Sequence, residues 1–244
     1  MHRTQEGKAM KPLYITVEDH AVPQLITSAL EAYEIGRTSP RKKEDKLETF
    51  GLLWGYMTPE RGNRPPRIIV TTATVETSAL VTKGSAKPDL GSLRMKMEFV
   101  TRYWPHLEVV GTFHSHPYDS LSEAREYKGW QASSPETVGP NQGDTVFWPW
   151  LHEELFLNNP YLGHLIISVT ALQKTGWALP KAIEGDSGFE LSLGKRKIWI
   201  TSYASEAVEY EDGPGAQMMD ALPVLDIPSM THRAIEGNFA QTSD

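Results

Sequence analysis

Two histidines one residue apart, His114 and His116 in EVVGTFHSHP (108–117), are the strongest chemical signal in this chain. In an extended strand, side chains two apart share a face, so both imidazoles project together while Phe113 and Ser115 face the other way. Spaced about 7 Å apart along the strand, they can converge on one metal ion. They end an apolar strand just before a polar loop, a common position for sites in α/β folds. A hydrolytic zinc needs a third ligand, an open position for water and a base outside the ligand set. Asp144, in GPNQGDTVF (139–147), falls at an expected helix start, where the dipole favours a carboxylate, and Asn141 is a good N-cap. Glu48, in LETFGLLWG (47–55), begins an otherwise apolar strand. Plainer roles stand beside these: two surface histidines, helix capping by Asn141 and Asp144, and an edge Glu in solvent.

Taken in order, three segments carry a resemblance. They are Glu48-Thr-Phe-Gly51-Leu-Leu-Trp-Gly55, His114-Ser-His116-Pro117 and Asn141-Gln-Gly-Asp144. The chain resembles the JAMM (MPN-plus) metalloprotease family, zinc isopeptidases that remove ubiquitin or ubiquitin-like proteins from conjugates, with bacterial and archaeal relatives. The resemblance implies an α/β fold, a single MPN/JAB1-type, cytidine-deaminase-like domain with a mixed β-sheet flanked by helices. It implies that His114, His116 and Asp144 bind Zn2+ with a water in the fourth position. Glu48 would take the proton from that water and pass it to the leaving amine. The implied partners are a ubiquitin-like protein or its conjugates and, in a bacterial member, the conjugation enzymes of the same pathway. Pairing with a second MPN-type domain, in a homo- or hetero-dimer, is also implied.

Two departures from the family pattern stand out. Asn141 occupies the place of the family's Ser, and 24 residues separate His116 from it, more than the family uses. An Asn141 amide N–H can donate to a developing oxyanion, a contribution worth roughly 10²–10³ in rate. Ser133 or Ser134 is the alternative source of that donor. Ser120 with Glu123 follows His116 too closely and ends in Glu. The intervening segment, 118–140, connects metal ligands and so must pass near the site. It reads as a flap over a substrate groove, with Tyr118, Tyr127 and Trp130 as contacts, or as a surface excursion with no role.

These residues need elements to hold them. Strands are expected at 13–17, 47–56, 67–75, 107–116, 161–172 and 196–203, with Pro117 ending the fourth. Helices are expected at 22–33 and 92–103, with a short one within 122–130. A further helix at 145–157 should be kinked or cut by Pro149. Phe147, Trp148 and Trp150 read as core under the site. Trp54, Trp104, Trp177 and Trp199 read as core or half-buried packing. His164, inside an apolar run, reads as a core or edge histidine. The alternation of helices and strands over 11–205 is that of one α/β domain. From 206 to 244 the acidic, Pro- and Gly-bearing sequence reads as an extended, partly disordered tail or one docked in pieces.

Composition limits the alternatives. The 244 residues hold no Cys, which excludes disulfides, thiolate metal sites and a cysteine nucleophile. Lys and Arg number 24 against 31 Asp and Glu, a net charge of −7 that suits neither nucleic acid nor an anionic membrane. No apolar run is long enough to span a bilayer and no secretory signal opens the chain, so the default compartment is the cytoplasm. The rival functions are a metal-free MPN-type scaffold and a zinc hydrolase of small peptides or amides.

Overall fold

The computed structural model describes residues 12–38, 43–140, 142–155, 159–210 and 213–236. In chain order, strand β1 (Tyr14–Val17) leads to helix α1 (Val22–Glu34) and two short strands, β2 (Arg37–Thr38) and β3 (Lys43–Glu44). The pair β4 (Phe50–Thr58) and β5 (Arg67–Val75) follows. A small hairpin, β6 (Leu80–Val81) and β7 (Ala86–Lys87), then precedes helix α2 (Leu90–Tyr103) and strand β8 (Glu108–Tyr118). Four short helices come next: α3 (Leu121–Glu126), α4 (Pro135–Val138), α5 (Asp144–Phe147) and α6 (Leu151–Glu154). Strands β9 (Tyr161–Ala182), β10 (Gly188–Tyr210), β11 (Gly213–Met218) and β12 (Val224–Asp226) and helix α7 (Pro228–Glu236) complete the described chain.

Eight strands form one mixed sheet in the order β11-β10-β9-β8-β4-β5-β1-β12. β8 runs parallel to β9, and β1 runs parallel to both β5 and β12. The strand alternation divides the apolar residues between two faces. On β9, Leu165, Ile167 and Val169 join a core with Val22, Leu25 and Ala29 of α1. Leu162 and Ile166 face the opposite way, into a second core with Leu93 of α2 and Trp148 and Leu151 near α5 and α6. Helices therefore cover both faces of a mixed sheet, and the site lies on the second. Asp89 caps α2 by accepting from the Ser92 backbone N–H at 2.8 Å.

Several expectations are corrected. Pro117 does not end its strand, because β8 continues to Tyr118. Strand β4 starts opposite His114, and Ser115 N donates to Thr49 O just before that start. The next nitrogen on that side, at Pro117, lies beyond β4 and has no β4 partner to lose. The helix expected at 145–157, of which 156 and 157 lie outside the described residues, is two single turns over its described part, α5 and α6, separated around Pro149. Trp54 and Trp199 are buried as expected, but Trp104 and Trp177 are 46% and 62% exposed. The stretch after 205, expected as extended or docked in pieces, is docked over its described part. Residues 206–210 complete β10, β11 adds one edge strand and β12 adds the other. Leu225, Ile227 and Met230 are buried in the first core. Short edge strands carry too little periodic pattern to be read against an acidic, Pro-rich background.

The hairpin of β9 and β10 bends back on itself. Its register shifts beside Gly194, whose φ of +63° is the left-handed conformation that glycine adopts freely. The bend returns the hairpin's end to the sheet, where Ser202 N donates to Ser187 O and Leu225 N donates to Asp186 O, both at 2.8 Å.

Candidate metal centre

His114 and His116 project from β8 onto the face covered by α2, α5 and α6, and Asp144 reaches them from the first turn of α5. All three are buried. Their ligand atoms lie within 4.8 Å of one another. His114 Nε2 is 3.0 Å from Asp144 Oδ1 and 3.0 Å from His116 Nε2, and His116 Nε2 is 3.4 Å from Asp144 Oδ2. Two donors bound at about 2.0–2.1 Å to one tetrahedral zinc sit roughly 3.3 Å apart. The donor set and its spacing fit a divalent cation of that kind. The His116 ring offers its Nδ1 side to Gly129 O at 2.9 Å, which leaves Nε2 facing the other ligands. Among the described residues, His114 Nδ1 is buried without a hydrogen-bond partner.

The Asp144 carboxylate is held from three directions. Ser133 donates to Oδ2 through its backbone N–H at 2.8 Å and its hydroxyl at 2.9 Å. Trp148 Nε1 donates to Oδ1 at 2.9 Å. Ser133 Oγ also accepts from Asp144 N at 3.0 Å. Trp148 lies four residues after Asp144, one helical turn on, and its ring stacks on Phe50 with centroids 4.8 Å apart. Electrostatics agree with the geometry. Burial penalises the Asp144 charge, but the two imidazoles overcome it and hold the carboxyl well below the usual range. Burial pushes His114 down, with Asp144 opposing. Burial also opposes a charge on His116, but Asp144 and Glu48 prevail and raise its pKa.

Glu48 lies two residues before β4, where its backbone N–H donates to Thr82 O at 2.8 Å. It is 7% exposed. Burial lifts its pKa to about 8, with His116 pulling down and Asp144 pushing up. Glu48 and His116 line one cleft of about 390 Å3 with Ser133, Tyr118, Tyr127 and Lys83. A buried carboxyl therefore opens onto the same space as a candidate metal ligand and a serine.

The remaining expected site residues divide. Tyr118 is half-buried in the cleft wall, its ring edge-on to His116 at 6.4 Å, and Tyr127 is exposed at the rim. Trp130 does not join them. Its ring stacks on Trp199 at 5.4 Å and lines a separate hollow with Arg125 and Lys197. Asn141 lies outside the described residues, and Gly143 takes the N-cap position of α5. Ser134 starts α4, donating to Glu136 rather than facing the ligands, whereas Ser133 touches Asp144. Ser120 caps α3 by accepting from Glu123 N. His164 is a core residue, bonded to Thr112 and Ser205. Sequence reasoning missed Gly129, Ser168 and the bonding role of Trp148. The spacing of Trp148 from Asp144 is a signal for the last, but nothing local points to Gly129 or Ser168.

No family model matches the chain, and no curated protein matches it. Among the described residues, no helix is long and apolar enough to cross a membrane.

Proposed function

We propose that this protein is a zinc-dependent peptidase of the JAMM type, on an MPN-like domain, that hydrolyses the amide bond at the C-terminal tail of a ubiquitin-like protein or its conjugate. The observation that carries the reading is the buried His114–His116–Asp144 group with an uncoordinated, buried Glu48 on the same cleft. The order of the Glu48, HSHP and Asp144 segments supports the family assignment.

His114, His116 and Asp144 would hold the zinc. When bound, zinc lowers the pKa of a water from 15.7 toward about 7 and polarises a carbonyl. Glu48 does the proton work. In the proposed reaction it takes a proton from the water and returns it to the departing amine. Burial, the main influence on its pKa, raises its proton affinity, and His116 opposes that rise. Ser133 would hold Asp144 in position, its backbone N–H and its one hydroxyl proton both directed to Oδ2. Tyr118 forms an aromatic wall beside His116. With no Cys in the chain, direct hydrolysis without a thioester intermediate fits the composition.

The test is zinc analysis of purified protein and of His114→Ala, beside cleavage of a ubiquitin-like fusion. Wild type should carry close to one zinc and cleave; His114→Ala should do neither. Wild type that binds no zinc and cleaves no fusion would overturn the proposal.

A further inference from the structure

The segment 118–140 has a structural task beyond connecting the ligands. It folds as α3, turns at Tyr127, Lys128 and Gly129, and delivers two groups to the ligand set from behind: the Gly129 carbonyl to His116 and Ser133 to Asp144. The Gly129 contact is closely built. Gly129 N donates to Ala124 O at 2.8 Å, closing α3. A Cβ at this position would lie 2.1 Å from the Tyr118 ring, so only glycine lets the backbone come this close. The carbonyl oxygen accepts twice, from His116 Nδ1 at 2.9 Å and from Ser168 Oγ at 2.7 Å.

Ser168 reaches that oxygen because of the sheet. β8 and β9 are parallel with His116 paired to Ser168, so the two side chains rise from the same face side by side. Ser168 is fully buried in a strand whose neighbours are Ile167 and Val169. A hydroxyl there costs burial energy unless it is bonded, and this one donates to the Gly129 carbonyl that meets His116.

We infer that Ser168 is a positioning residue: it locks the Gly129 carbonyl onto His116 Nδ1 and so keeps His116 Nε2 aimed at the metal. The inference rests on the proposed metal centre and deepens it. Partners that orient a ligating imidazole typically change metal affinity 10–100-fold when lost. The brace acts through the carbonyl, so its loss belongs at the low end of that range.

Ser168→Ala and Ser205→Ala are to be compared with wild type. Ser205 is equally buried and bonded, to His152 and His164, but does not touch Gly129 or the ligands. It therefore controls for the general cost of losing a buried hydroxyl. Zinc affinity is read by competition with a chromophoric chelator, and the exchange rate of the His116 Nδ1 proton by NMR of metal-free protein. Ser168→Ala should weaken zinc about tenfold and speed exchange of that proton. Ser205→Ala should leave both at the wild-type value, and Ser168→Thr, which keeps the hydroxyl, should restore them. Wild-type zinc affinity and wild-type proton exchange in Ser168→Ala would overturn the inference, as would equal losses in both alanine variants. Wild type that binds no zinc overturns the proposed function instead, while the Nδ1 proton of the metal-free protein still reports whether Ser168 holds the carbonyl.

Discussion

Glu48 is a carboxyl where water can hardly solvate its charge, beside a buried imidazole pair and another carboxylate. Such an environment suits the proposed role of proton carrier. Glu48→Gln keeps the side-chain volume and removes the basicity. It should retain zinc, measured by elemental analysis, and lose about 10²–10⁴ in kcat on a ubiquitin-like fusion, the usual range for a lost general base. A Gln variant with full turnover would remove Glu48 from the assigned role. Ser133→Ala strips Asp144 of its hydroxyl donor but leaves the backbone donor and the Trp148 bond. Zinc affinity by chelator competition should fall about 10–100-fold, as for other partners of a ligating group. At this scale the chain was readable where types and spacing carry the chemistry, as at His114, His116, Asp144 and Glu48. It was not readable at Trp130, whose aromatic ring looked suited to substrate but is spent on Trp199, because a ring alone does not say which surface it meets.

Among the elements, β8 organises the site. Its inward residues alternate as Thr112, His114 and His116, and the polar series continues sideways through the sheet. Thr112 Oγ1 bonds His164 Nδ1 at 2.8 Å, and Ser205 Oγ joins His164 Nε2 at 2.8 Å to His152 Nε2 at 3.0 Å. These groups are buried, and Tyr203 stacks on His164 at 4.9 Å. Burial drives the His152 pKa down to about 4, with its Ser205 contact opposing. In the unfolded chain the group titrates near 6.5. Between those values the unfolded state binds more protons, so stability is complete above about pH 6.5 and declines as pH falls toward 4. The contribution is on the order of 3 kcal/mol. In urea titrations from pH 7 to 4, His152→Gln should lose less stability than wild type; equal losses would rule out His152 as the titrating group. The strand periodicity that located β5 and β8 was plain in the sequence. The division of 145–157 into α5 and α6 followed from Pro149, but the buried polar series did not, since its members come from four separate elements.

For the whole molecule, the decisive feature is closure of the sheet by its last strands. β12 pairs in parallel with β1, and Leu225, Ile227 and Met230 enter the core under α1. Arg67 joins the same edge, donating to Asp226 at 2.9 Å. Leu225→Ala should cost about 2–5 kcal/mol in chemical denaturation, the usual price of a cavity under a buried leucine. An unchanged midpoint would show that this edge contributes nothing to the folded state.

The amino-acid sequence by itself determined the alternation of helices and strands, the pairing of His114 with His116 on one strand face, and the chemical classes that a cysteine-free, acidic chain cannot use. Those properties are local: periodicity, residue type and composition act within a few residues. The tertiary structure alone decided that Ser133 rather than Ser134 holds Asp144, that the Gly129 carbonyl meets both His116 and Ser168, and that β11 and β12 complete the sheet. Each of these depends on the meeting of segments remote in the chain, which is set by packing on a shared core and leaves no mark on the local pattern.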